Sequence, residues 1–152
     1  MQTILVVDSD RFSRAATVSA LNAASYNTLE ADSFAAGINS LRNIIPNAAI
    51  VDYELSDNSG LELFAQIQQN ELKQRIPTIM LAPNFHDMAR VHCLEAGADD
   101  VMSKPTALNE LILRIDMLLN SDRHAAAVSA EFNISSRGIN LDMQSLQVSI
   151  GG

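Results

Sequence analysis

The stretches Thr3-Ile4-Leu5-Val6-Val7-Asp8 and Ala48-Ala49-Ile50-Val51-Asp52 decide the fold, each a short apolar run closed by an aspartate. Runs so short, so continuous and so rich in β-branched residues suit strands buried on both faces of a parallel sheet. Thr78-Ile79-Met80-Leu81 before Ala82, and Val101-Met102 just ahead of Lys104, are two more of the kind. Between them the period changes. Phe34, Ile38, Leu41 and Ile45 repeat at steps of four, three and four, and Leu108, Leu111, Ile112, Ile115, Leu118 and Leu119 make a full apolar stripe, both helical signatures. Ser59 with Glu62 three residues on reads as a capping box opening the helix that carries Leu63, Phe64 and Ile67. The expected order is strand 2–7, helix 11–24, strand 26–30, helix 33–44, strand 48–51, helix 59–70, strand 77–81, helix 86–96, strand 99–102 and helix 106–120. Alternation of this kind is that of a doubly wound α/β domain.

In open sheets of this type ligands bind outside the carboxyl ends of the strands, where strand order switches. Asp8, Asp52 and Lys104 all follow strands, so two carboxylates and one ammonium are expected at a single sheet edge. An aspartate after one strand is ordinarily a helix cap or turn residue, and a lone Lys-Pro a solvated loop. The joint spacing of all three points to a site instead.

Across residues 2–120 the chain resembles the receiver domains of two-component response regulators. The matching text is Ile4-Leu5-Val6-Val7-Asp8, Val51-Asp52 with Gly60 eight residues later, Gly97-Ala98-Asp99-Asp100, and Lys104-Pro105. The resemblance implies a flavodoxin-like five-stranded parallel sheet of order 2-1-3-4-5 with five helices. It also implies that Asp52 accepts a phosphoryl group from a histidine kinase, that an acidic pocket holds Mg²⁺, and that Lys104 pairs with the phosphoryl oxygens. On it, Asp8, Asp52, Glu54 and Asp10 are the candidate metal ligands, Glu54 through its backbone or its carboxylate. The residue types suit the chemistry on their own terms. A carboxylate attacking phosphorus amid negative oxygens needs a hard cation, which takes carboxylate, carbonyl and water oxygens. A lysine then stabilises charge spread over the equatorial oxygens.

Departures from the family pattern are expected to weaken this site. Ser9 stands where the family carries a second acid, so an anionic ligand is lost, and Asp10 lies one residue further on. Ala82 occupies the place of a Ser or Thr that would bond the phosphoryl group, Val101 that of the aromatic switch residue, and Ser56 that of a proline. Weak or absent Mg²⁺ binding and poor conventional activation follow as expectations.

The chain has 152 residues, is 47% hydrophobic, and carries a formal net charge of −8. No run approaches the roughly 18 apolar residues of a membrane span, and strand residues begin almost at Met1, leaving no room for a cleavable signal. Cys93 is the single cysteine, which excludes an internal disulfide and fits a reducing cytoplasm. His86, His92 and His124 lack ligand spacing. Arg11, Arg14 and Arg42 stand apart and form no basic stripe, so this segment is not expected to touch nucleic acid itself.

A linker is expected over 121–130, small and polar. Beyond it, over 131–152, Ile139 and Leu141 alternate, Asp142-Met143-Gln144-Ser145 turns, and Leu146, Val148 and Ile150 alternate again, a hairpin pattern. A lone hairpin is marginal in water. The text Gly138-Ile139-Asn140-Leu141-Asp142 with Leu146-Gln147-Val148-Ser149-Ile150-Gly151-Gly152 resembles the opening strands of the winged-helix effector domain of OmpR-like regulators. That resemblance implies a transcription regulator whose recognition helix lies outside these residues. The OmpR-like group dimerises through its fourth helix, fifth strand and fifth helix. Arg90, Glu110, Asp99, Asp100 and Arg114 stand at the matching positions, with Val91, Leu94 and Leu111 as apolar contacts, while Asp116 departs from the basic residue common there. Arg90 is expected to meet Glu110, and Asp99 or Asp100 to meet Arg114, across a two-fold axis. The leading expectation is control of transcription by dimerisation through that face with weak or no conventional phosphorylation, and three other readings stay open: a conventional Mg²⁺-dependent phospho-Asp52 switch, a stand-alone docking receiver without a DNA-binding half, and a flavin-binding protein of similar fold. The acidic Asp8-Ser9-Asp10 turn argues against the last, because it would repel a nucleotide phosphate.

Overall fold

The computed structural model of the chain describes residues 1–84 and 87–120. The linker and hairpin, with His86 and His124, lie outside the described residues. The elements alternate as β1 (Thr3–Val7), α1 (Arg11–Ala23), β2 (Asn27–Ala31), α2 (Phe34–Leu41), β3 (Ala48–Asp52), α3 (Gly60–Gln68), β4 (Thr78–Pro83), α4 (Asp87–Glu95), β5 (Asp100–Lys104) and α5 (Leu108–Leu119). The strands are parallel in the order β2-β1-β3-β4-β5, as expected for a flavodoxin-like sheet.

The buried apolar strand residues divide between two cores, and the period of two decides which. Leu5, Val7, Ala49, Val51, Met80, Ala82 and Val101 meet Leu63, Phe64 and Ile67 of α3 and Ala89 and Cys93 of α4, with Phe34, Ile38 and Leu41 of α2 at the margin. Ile4, Val6, Ile50, Ile79, Leu81 and Met102 meet Leu21 of α1 and Leu111 and Ile115 of α5. Each fully buried Leu or Ile contributes about 1.5–3 kcal/mol, which is why strands of five or six residues hold. Asp52 and Lys104 keep step with Ile50 and Met102, and Asp8 with Val6, so all three side chains leave the sheet toward α1 and α5.

Local chemistry sets the helix ends. Asp10 caps α1, its Oδ1 accepting from the N–H of Phe12 at 2.9 Å and of Ser13 at 3.2 Å. Ser33 caps α2 through the N–H of Ala36, while both oxygens of Asp57, 22 and 23 residues away, accept from Ala35 N–H at 3.1 Å and Phe34 N–H at 2.8 Å. Ser59 does cap α3, yet the capping box is only half made: Ser59 donates its own N–H to Asn58 Oδ1 at 2.7 Å, not to Glu62. α4 ends where Gly97 turns left-handed at φ 102°, with Gly97 N–H on Leu94 and Ala98 N–H on Cys93, closing the last carbonyls before β5 begins. The helices run one to four residues shorter than the apolar pattern suggested, while β2, β3, β4 and β5 end one or two residues later. β5 extends to Lys104, pairing Pro83 with Lys104, so the lysine is fixed by the sheet and not by a loop.

Candidate functional site

Asp8, Asp52 and Lys104 converge. Lys104 Nζ lies 2.8 Å from Asp52 Oδ2 and 3.1 and 3.2 Å from the two oxygens of Asp8, so one ammonium bridges both acids. Asp8 and Asp52 are 1% and 6% exposed, deep enough for charge to matter. Burial pushes the Asp52 carboxyl up; Lys104 pulls it back and the Asp8 charge adds to the rise, leaving Asp52 at about 6. Burial acts on Asp8 too, but bonds from the Ser13 hydroxyl and the Asp10 N–H, together with Lys104, outweigh it and hold Asp8 below the ordinary carboxylate range. For Lys104, burial works against the charge and the two carboxylates win, raising it above the usual lysine value. Two acids sharing one cation divide the proton unequally, and Asp52 is the one left able to take it near neutral pH.

The site opens into a cavity of about 560 Å³ lined by Asp10, Asp52, Glu54, Lys104, Thr106 and residues of α1 around Ser13, among others. Asp8 and Asp52 present hard oxygens suited to a divalent cation, with carbonyl and water oxygens to complete its shell. Ser9 and Asp10 are otherwise engaged. The Ser9 hydroxyl accepts from Ser56 N–H at 3.0 Å and lies 3.5 Å from Ser56 Oγ, stitching the loop after β1 to the loop after β3. Asp10 is spent on its helix cap. Glu54 is exposed at the cavity wall and its backbone bridges to Ser59. Among the described residues no three His, Cys, Asp or Glu side chains are gathered as a metal cage.

Gly60 explains its place in the motif. A Cβ there would fall 1.9 Å from the Asp52 carbonyl oxygen, and its N–H bonds the Tyr53 carbonyl at 2.8 Å, so only glycine lets α3 start this close behind β3. Ala82 and Val101 are both buried on the opposite face, with Met80 and Cys93, where neither offers a hydrogen bond. Cys93 is fully buried, and burial pushes its thiol up to about 11, which makes it core filling.

A scan against family models matches residues 4–116 to the response regulator receiver domain. The chain belongs to that family. Receiver domains are signalling domains that are generally not enzymes, and they typically bind Mg²⁺ at the phosphorylation site. The phosphate regulon transcriptional regulatory protein PhoB of Pseudomonas aeruginosa is 32% identical over 151 residues, covering 99% of this chain and 65% of the relative. The KDP operon transcriptional regulatory protein KdpE of Escherichia coli is 26% identical over 143 residues, covering 94% of this chain and 61% of that protein. The chain thus spans a little under two thirds of the length of these relatives. A CheY-like receiver domain protein from Methanospirillum hungatei superposes with a TM-score of 0.73 at 26% identity, over 82% of this receiver's chain and 98% of the other.

Several residues expected at a dimer surface have partners within the chain. Arg114 meets Asp100 at 2.5 Å and also meets Glu110, both within one chain, so these charges already have partners before any second copy arrives. Asp99, the residue just before β5, is tied elsewhere: its Oδ2 accepts from Thr78 N–H at 2.8 Å and Arg75 at 3.1 Å. Leu111 cannot supply interface burial: it is fully enclosed in the core, because the α5 stripe faces the sheet. Val91 and Leu94 are 41% and 50% exposed and remain available, and Arg90 bonds the Val101 carbonyl at 3.4 Å. Asp116 accepts a bond from the Tyr26 hydroxyl, turning it toward α1 and not outward.

Three contacts were absent from the sequence reading. Arg14 donates to the Asp8 carbonyl at 2.8 Å and pairs with Glu30 at 3.3 Å, fixing the turn that presents Asp8. Tyr53, next to Asp52, bonds His92 Nδ1 of α4 at 3.2 Å. Asp57 ties that same loop to α2. An arginine one turn into α1 was the only visible hint of the first; the others join residues with no sequence relation.

Proposed function

We propose that this chain is the signal-receiving part of a transcription regulator, in which Asp52 accepts a phosphoryl group from a histidine kinase through a weakened cation site. The observation that carries the reading is the 2.8 Å contact between Lys104 Nζ and Asp52 Oδ2, with Asp8 on the same ammonium. Above pH 6 Asp52 is largely ionised and nucleophilic. One of its oxygens attacks phosphorus as the bond to the donor's leaving atom breaks, and Lys104 neutralises charge gathering on the equatorial oxygens. Asp8 and Asp52 would hold Mg²⁺, which supplies charge neutralisation at the transferring group. Two features make that hold weak: Ser9 brings no charge, and Asp10 is committed to its helix.

Residues 1–120 form the receiver on this reading, 121–130 the linker, and 131–152 the opening strands of a winged-helix effector domain that carries the DNA contact. The two relatives bear the name of transcriptional regulators, in keeping with this. The α4–β5–α5 face is the proposed homodimer surface, with Val91 and Leu94 supplying burial and Arg90 and Glu110 the register. Arg114 and Asp100 would join only by exchanging partners. Such a regulator works in the cytoplasm.

Acetyl phosphate treatment followed by intact mass measurement tests the reading. A gain of about 80 Da that Asp52→Asn abolishes is the expected result; no gain with Mg²⁺ present would refute it. A second reading, pairing without phosphorylation, is favoured by Lys104 already bridging both acids. Light scattering separates the two. A dimer of equal strength in wild type, Asp52→Asn and phosphodonor-treated protein would select the second.

A further inference from the structure

We propose that the Thr106 hydroxyl is a binding group for an oxyanion seated on Asp52. The proposal rests on the acceptor role of Asp52 and assigns one more residue to that site. Among the described residues, Thr106 Oγ1 is the buried side-chain oxygen with no hydrogen-bond partner. Native interiors seldom keep such an atom without cause, because an unpaired hydroxyl forfeits its water and gains nothing in return.

Thr106 lines the same cavity as Asp52 and Lys104, two residues past the lysine in the connection from β5 to α5. Its hydroxyl is not spent on the helix. Leu111 N–H bonds the Ala107 carbonyl, so Ala107 holds the cap position and Thr106 precedes it. Asn84 also lines the cavity but is exposed to water, and several other groups around it are committed or have nothing to donate. Lys104 is divided between Asp8 and Asp52, and Ser13 bonds Asp8. Pro83 and Pro105 have no N–H to give.

A phosphoryl group on Asp52 brings three strong acceptor oxygens. Lys104 satisfies one and a cation another, which leaves a third facing the cavity that Thr106 lines, where its buried hydroxyl stands without a partner. Rotation about χ1 moves that oxygen between staggered positions at little cost, so the group is satisfied when the oxyanion is present and orphaned when it is not.

The test uses the whole 152-residue chain as wild type, Thr106→Val and Thr106→Ser. Thermal unfolding without ligand comes first: Thr106→Val is expected to unfold at a higher temperature, since it removes the orphaned oxygen and keeps the shape. Beryllofluoride binding in Mg²⁺, followed by ¹⁹F NMR, is expected to weaken roughly tenfold or more in Thr106→Val and to stay near wild type in Thr106→Ser. The lifetime of the Asp52 acyl phosphate should shorten in the same order. Equal beryllofluoride affinity in wild type and Thr106→Val would overturn the Thr106 assignment while leaving Asp52 as acceptor. A Thr106→Val protein less stable than wild type would overturn it as well, because a hydroxyl whose loss destabilises already has a partner. Wild type that binds no beryllofluoride and gains no mass would remove both readings together.

Discussion

Replacing Asp52 with Asn should make the protein more stable near neutral pH, the opposite of what loss of an ion pair usually does. The folded state holds Asp52 at about 6 against an ordinary 3.8, mainly because burial disfavours its charge. A group raised on folding gives its full stabilisation below the unfolded value, here 3.8, and loses it as pH climbs through 6. Each pH unit of displacement carries about 1.4 kcal/mol, so ionised Asp52 costs the fold at most about 3 kcal/mol. Asn keeps the shape and an acceptor oxygen for Lys104, while Asp8 retakes the whole ammonium. A realised gain of roughly 2 kcal/mol would raise the unfolding midpoint by about 5–8 °C for a domain of this size. Circular dichroism melts of wild type and Asp52→Asn at half-unit steps from pH 4 to 8 measure it. The gap should open between pH 4 and 6 and level off by pH 7.5. An Asp52→Asn protein with a lower midpoint at pH 7.5, or a gap that ignores pH, would refute the reasoning.

Lys104→Met leaves two neighbouring buried carboxylates without a cation. It should cost roughly 2–3 kcal/mol at pH 7.5 and recover most of that at pH 5 as Asp52 takes a proton, in the same melts. Gly60→Ala drives a Cβ into the Asp52 carbonyl; it is expected to lose about 3 kcal/mol in urea titration and to lower phosphoryl uptake, whereas Gly97→Ala, with open space but left-handed backbone, should lose only about 1 kcal/mol. Asp57→Ala removes the acceptor for two α2 amides. Those amides hold the Asp57 carboxyl below its ordinary value, so the loss should be present above that ordinary value and fade as pH falls through the lowered one.

The three central residues were legible because each closes an apolar run, and strand ends meet at one edge in a parallel sheet. Burial of the strands on both faces was legible too, from the continuity of the apolar runs. What the sequence hid depends on contacts across long separations. Ser9 looked like an absent ligand; its link to Ser56 appears only when the loops after β1 and β3 are neighbours. Asp99 and Asp100 looked equivalent, yet these neighbouring side chains reach different partners, Arg75 and Arg114. Leu111 carried two incompatible roles until the rotation of α5 fixed it in the core. Thr106 gave no signal, because being unpaired is a property of surroundings.

The Asp57 clasp on α2 has a consequence for detection. The acceptor strand runs straight into the loop that bears Asp57, and that loop grips the amides of Phe34 and Ala35 with both carboxylate oxygens. Any event at Asp52 that tugs this connection loosens or tightens its grip, and the exchange of those two protons with deuterium becomes a gauge of the pocket read from a separate helix.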